Sequence, residues 1–281
     1  MPFERDTLLS EMGLTPIWKV RRRGMGNVQA APQHQSEAQH QAEAQHQAEA
    51  QHQAEAQHQA EAQHQAEAFG QDAIPASQQS AAPLESREDR EIRIRAMDWP
   101  ALKQAVQACK SCALHSSRAR TVFGVGDEAA DWLLVGEAPG AEEDRQGEPF
   151  VGQAGKLLDN MLSALGLQRG LNVYIANVLK CRPPGNRNPE PDEVAQCAPH
   201  LSRQIELVRP KLILGLGRFA AQTLLNSDAS IASLRGKVHV YAGIPLVITY
   251  HPAYLLRNLP DKAKAWADLL LAKNTLAELP D

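Results

Sequence analysis

The sequence predicts an α/β fold, with helices around a central four-stranded parallel sheet, behind a long N-terminal region that has no core of its own. Three observations carry this reading. Four apolar runs have strand length, helical periodicities fall between them, and a six-residue repeat fills much of the first third.

The repeat comes first. Residues 33–68 are six copies of one unit, QHQSEA once and then QHQAEA five times. A period of six does not match the helical period, so no apolar stripe forms, and nothing larger than Ala is available to bury. The repeat carries six of the ten histidines, which leaves a metal-binding tail as the alternative to an expanded linker. The predicted organisation is a short N-terminal peptide at 1–24, a disordered low-complexity linker at 25–96, and a folded domain at 97–281. The peptide FERDTLLSEMGLTPIWKVRRRG has helical spacing at Leu8, Leu9 and Met12, followed by three arginines. It reads either as a docking or DNA-anchoring segment tethered by the linker, or as a short helix packed on the domain.

Residues 99–281 hold 20 Lys and Arg against 18 Asp and Glu, so the overall charge of −4 belongs to the tail. Any nucleic-acid binding by the domain therefore rests on local patches. No run reaches the roughly 18 apolar residues of a spanning helix, and the N-terminus lacks a signal pattern. A cytoplasmic monomer without membrane contact is expected, with its cysteines as thiols rather than disulfides.

Within the domain, strands are expected at 132–135, 173–178, 211–216 and 245–250, and helices at 154–165, 191–208, 218–226 and 261–277. Pro199 suits a first helical turn, so 191–208 is expected as two short helices meeting near Cys197. The segment KVHVYAG is a candidate extra edge strand. Ligands of such sheets bind beyond the carboxyl ends of the strands. That rule brings together Gly136-Glu137, Asn177, Gly217 and His251. The loop after the first strand, GEAPGAEEDRQGEPFVGQAG, sets five acids around one aromatic residue, Phe150.

The four cysteines are spaced as Cys109-x2-Cys112 and Cys181-x15-Cys197. By ligand type they suit either zinc or a [4Fe–4S] cluster, and spacing does not choose between them.

Together, GEAPGAEEDRQGEPFVGQAG, NVLKCRPPGNRNP, the cysteine spacing, LILGLGRFAAQTLL and TYHPAYLLR resemble the uracil-DNA glycosylase superfamily, and above all its family 4, the bacterial and archaeal iron–sulfur enzymes. The resemblance spans the domain from about Trp99 onward. It implies an α/β/α sandwich, a [4Fe–4S] cluster on Cys109, Cys112, Cys181 and Cys197, uracil-containing DNA as partner, and hydrolysis of the uracil N-glycosidic bond. By position it implies that Glu137, Glu143 and His251 are catalytic, and that Gly136, Phe150 and Asn177 bind uracil. Arg182, Asn186, Arg187, Leu255, Leu256 and Arg257 would contact DNA, with Leu255 or Leu256 filling the gap left by a flipped base. Arg218 is a further phosphate candidate. The start of the helix at Gly152 to Gly155 is another phosphate candidate. Glu142 and Asp144 read as solvated charges, and His115, His200 and His239 as structural or exposed.

Other readings remain. A G-x-G-x-x-G nucleotide loop is disfavoured by the acidic G-E-A-P-G pattern. A non-catalytic DNA-binding module with a zinc site does not need Glu137, Asn177 and His251 to converge. A covalent uracil-trapping relative would carry a His-containing basic insert where this chain reads DASIASLRGKVHVYAG.

Overall fold

The structure, a computed structural model, describes residues 86–279. The expected N-terminal peptide and the repeat lie outside the described residues.

A six-stranded sheet runs in the order β1-β3-β2-β4-β6-β5. Its strands are β1 (Val125–Gly126), β2 (Trp132–Gly136), β3 (Val173–Asn177), β4 (Leu212–Leu216), β5 (Val238–Tyr241) and β6 (Ile244–Thr249). The inner four are mutually parallel, and β1 and β5 add antiparallel edges. The expected parallel core is therefore present, but a four-stranded sheet undercounts the strands. β1 is two residues long and leaves no periodic pattern. β5 corresponds to KVHVYAG and alternates exposed with half-buried positions, as an edge strand does.

The helices are α1 (Arg87–Arg95), α2 (Trp99–Ala108), α3 (Ala141–Gln146), α4 (Gln153–Ala164), α5 (Pro191–Val208), α6 (Arg218–Leu225), α7 (Ile231–Leu234), α8 (Pro252–Arg257) and α9 (Lys262–Ala277). They cover both faces of the sheet. Leu133, Val135, Ala176 and Ile213 face one core with Leu201, Ile205, Ala221 and Leu224 of α5 and α6. Trp132, Leu134, Ile175 and Leu214 face the other with Leu158, Leu162 and Leu269 of α4 and α9. Side chains alternate along a strand, so a strand covered on both faces must be apolar throughout. All five residues of β2, of β3 and of β4 are buried, which is why these runs read so clearly.

Two expectations about helices fail. Residues 191–208 form one 18-residue helix with Pro199 inside it. Proline removes one backbone donor, but burial of His200, Leu201, Gln204 and Ile205 on the following turns carries the helix across. Ordered structure also begins before residue 97. α1 is capped by the Ser86 hydroxyl, which accepts from the Asp89 amide, and it is anchored by buried Arg90 and Ile94. Its four arginines and three acids hid those anchors within a polar stretch read as linker.

Candidate active site

The carboxyl ends of the parallel strands open on a cleft of about 760 Å³, lined among others by Glu137, Glu143, Phe150, Asn177, Arg218, His251 and Arg257. β2 and β3 are neighbours, and Gly136 pairs with Asn177 in register. The ladder runs on past the strand ends. The Val178 amide donates to the Gly136 carbonyl and the Leu179 amide to the Glu137 carbonyl, both at 3.0 Å. Glu137 is thus fixed through its own backbone, while burial pushes its carboxyl up to about 6 against the opposing pull of Arg218.

Asn177 is buried, and its Oδ1 has no hydrogen-bond partner. An unpaired buried carbonyl is costly unless a ligand completes it. Gly136 makes the adjacent space: a Cβ there would run into Asn177 Oδ1 and lie 2.6 Å from Phe150 Cζ. Phe150 is buried at φ +55°, a left-handed conformation unusual outside glycine. Its ring stacks on that of His251 with centroids 5.4 Å apart and planes 29° apart.

His251 caps α8. Its Nδ1 accepts the Ala253 amide at 3.2 Å, so the neutral ring carries its proton on Nε2. Burial pulls the imidazole down to about 4, with Glu143 opposing and Arg257 reinforcing. It is therefore a neutral donor at pH 7. Gly217, at φ +91°, leaves room for the ring, because a Cβ there would lie 2.8 Å from His251 Cβ.

The acidic loop is less uniform than its composition. Glu143 Oε1 accepts the amides of Val151 and Gly152 at 3.0 and 3.1 Å. Two donors at the start of α4 are thus taken by a carboxylate, which argues against a phosphate there. Asp144 is buried and accepts the amides of Ala119 and Arg120, so it tethers the loop rather than facing solvent. Glu142 is exposed and pairs with Arg145.

The expected DNA-contacting residues divide. Leu255 is 1% exposed and belongs to the core beside α4 and α9, whereas Leu256 is 43% exposed. On a helix, adjacent positions point apart, so only one of the pair can be free. Arg257 and Asn186 line the cleft, and Asn186 Oδ1 accepts from Arg182 Nε at 2.8 Å. Arg187 also reaches the cleft but is committed to Glu193, with Nη1 3.0 Å from Oε2. His115 is exposed, and buried His200 and half-buried His239 bond within the protein.

The four cysteines line one pocket between α2, the loop after β3 and α5. Among the described residues, no three His, Cys, Asp or Glu side chains converge closely enough for a single metal ion. Four thiols around one pocket are a donor set that suits a thiolate-held metal centre. Its surroundings are cationic. Arg118 Nη1 donates to Cys181 Sγ at 3.0 Å and Arg90 Nη2 lies 3.9 Å from Cys109 Sγ, while the neutral backbone amide of Lys180 donates to Cys197 Sγ at 3.3 Å.

Sequence reading missed Lys180. It is 1% exposed, and its Nζ donates to the Asn177 carbonyl at 2.7 Å and to Gln204 Oε1 at 2.5 Å. This residue joins the cysteine pocket to the cleft. A lysine ending an apolar strand run, beside a cysteine, was the available signal.

Residues 123–270 match the family description "Uracil DNA glycosylase superfamily". Type-4 uracil-DNA glycosylase of Archaeoglobus fulgidus is 48% identical over 159 residues, covering 54% of this chain and 79% of that protein. The type-4 enzyme of Pyrobaculum aerophilum is 42% identical over 183 residues, 62% of this chain and 93% of that protein. Type-5 uracil-DNA glycosylase of Thermus thermophilus is 36% identical over 121 residues, 38% of this chain and 55% of that protein. The chain belongs to the uracil-DNA glycosylase superfamily.

Proposed function

We infer that this chain is a DNA-repair glycosylase that hydrolyses the N-glycosidic bond of a flipped uracil and leaves an abasic site. One observation carries the chemistry. A carboxyl lifted by burial, a neutral imidazole donor, an unpaired amide oxygen and a stacked ring line a single cleft.

Uracil leaves the duplex and enters this pocket. Phe150 stacks on the base, and Gly136 lets the base approach. Asn177 reads the base edge, its Oδ1 accepting from uracil N3–H and its amide donating to O4. Cytosine presents the reverse pattern and would leave buried groups unpaired. As the C1′–N1 bond breaks, the electron pair goes to uracil and positive charge grows on the sugar. Ionised Glu137 stabilises that charge and orients the water that attacks C1′. His251 donates from Nε2 to uracil O2, where negative charge collects. Glu143 holds the Val151-Gly152 turn, walls the pocket on the side of uracil C5, and faces the reacting centre. Arg182, Asn186, Arg187, Arg218 and Arg257 supply DNA contacts, and Leu256 fills the space left by the base.

Cys109, Cys112, Cys181 and Cys197 would hold a [4Fe–4S] cluster. When bound it supplies a structural tie, and the nearby cations Arg90, Arg118 and Lys180 balance thiolate charge. The test is base release from a uracil oligonucleotide by full-length protein, with Glu137→Ala and His251→Ala alongside. Abasic sites from the wild type, and losses of orders of magnitude in both variants, are expected. Binding without base release would reject the reading.

A further inference from the structure

Phe150 cannot hold its conformation by itself. Its φ of +55° is unfavourable for a side chain branching into an aromatic ring, and the preceding residue is Pro149. A restraint therefore has to come from elsewhere. Gly155 supplies room, since a Cβ there would collide with the Phe150 carbonyl. Room is not a restraint, however.

Arg169 provides one. It follows α4, 19 residues beyond Phe150, and no cleft-lining residue belongs to its segment. Its guanidinium makes a fork. Nη1 donates to the Pro149 carbonyl and Nη2 to the Phe150 carbonyl, both at 2.9 Å. Nε donates to Asp159 Oδ1 at 3.0 Å, so a carboxylate on α4 aims the fork. Arg169 is 24% exposed, which strengthens these charge-assisted bonds relative to a free surface pair. A planar fork that bonds consecutive carbonyls fixes the two peptide planes that flank the Phe150 Cα, and with them its φ and ψ. That backbone conformation sets where the Phe150 ring stands, against Gly136 and His251.

We propose that Arg169 is a positioning residue for uracil recognition: its fork locks the two peptides that flank Phe150 and so presents the Phe150 ring to the flipped base. This rests on the reading of Phe150 as the stacking partner. It predicts a loss in base binding and turnover, not in grip on DNA.

The test uses full-length protein with Arg169→Ala, Arg169→Lys, Phe150→Ala and the Phe150→Ala/Arg169→Ala double variant. Base release gives kcat and KM, competition by free uracil gives Ki, and undamaged duplex gives DNA affinity. Arg169→Ala should raise the uracil Ki about tenfold or more and lower kcat, with duplex affinity unchanged. Arg169→Lys keeps the charge but cannot bridge two carbonyls, so it should fall between. In the Phe150→Ala background, loss of Arg169 should add nothing to Ki.

If Phe150→Ala weakens uracil binding and Arg169→Ala does not, the positioning role is overturned while stacking stands. If Phe150→Ala leaves the uracil Ki unchanged, stacking itself fails. Additive losses in the double variant would show that Arg169 acts by another route and would also overturn the proposal. Should Arg169→Ala not fold, Arg169→Lys decides: an unchanged Ki rejects the clamp.

Discussion

At Glu137, burial lifts the carboxyl to about 6, and this sets two opposite trends with pH. In the proposed mechanism catalysis uses the ionised form, so kcat/KM should fall as pH drops through about 6. Stability runs the other way. The folded protein holds this proton more tightly than the unfolded chain, so it loses stability as pH rises through the window from 4.5 to about 6. Glu137→Gln should therefore slow base release by about 10²–10⁴. It should also melt at a higher temperature than wild type at pH 8, with no gain at pH 4. A thermal scan at both pH values checks this. His251, drawn down to about 4, stays neutral from pH 5 to 9 and should add no limb to the rate profile there. Its removal should cost about 10²–10³ in kcat, the loss typical of one oxyanion donor. Most of these residues were legible because they sit at strand ends, where a parallel sheet gathers its chemistry. Phe150, Glu137, Asn177 and His251 all line the one cleft. Arg169 and Lys180 are harder to read. Both hold backbone carbonyls, which any sequence supplies, and their side-chain partners Asp159 and Gln204 form no motif with them.

Among the elements, α5 carries an avoidable flaw. Pro199 lies inside an 18-residue helix and cannot donate to the carbonyl one turn back. Pro199→Ala should restore that bond and stabilise the fold by on the order of 1 kcal/mol after allowing for the freer unfolded chain, seen as a higher melting temperature in a thermal scan. The same helix shows where pattern reading stops. By pattern a proline suits a helix start, but the buried stripe through Leu201, Gln204, Ile205 and Val208 outweighs one missing bond. The three fully buried strands, β2, β3 and β4, were readable as unbroken apolar runs. β1, with two residues, was below the length at which any period exists. α1 was hidden by its charge, since only Arg90 and Ile94 of its nine residues are buried. Leu255 and Leu256 could not be separated by sequence, because the rotation of α8 decides which one is free.

Across the molecule, the proposed function puts DNA binding on a few cations around the cleft, Arg218 and Arg257 among them, rather than on net charge. Arg218→Ala and Arg257→Ala should each lower the slope of log K against log salt by roughly 0.9 on duplex DNA and weaken all sequences alike. A salt titration of binding to undamaged duplex measures this. The cleft itself has two unlike walls. On one side, hydrogen bonds continue past the ends of β2 and β3, and Lys180 staples Asn177 to α5. On the other side, the α3 loop is pinned by side chains alone, Asp144 to the 119–120 amides and Glu143 to those of 151 and 152. Natural or laboratory selection for a different damaged base therefore has an asymmetric landscape. Changes at the strand ends disturb the sheet and the cysteine pocket together, while changes at loop positions other than the anchors Glu143, Asp144 and Phe150 leave both untouched, so new substrate preferences should accumulate at those positions between residues 140 and 152.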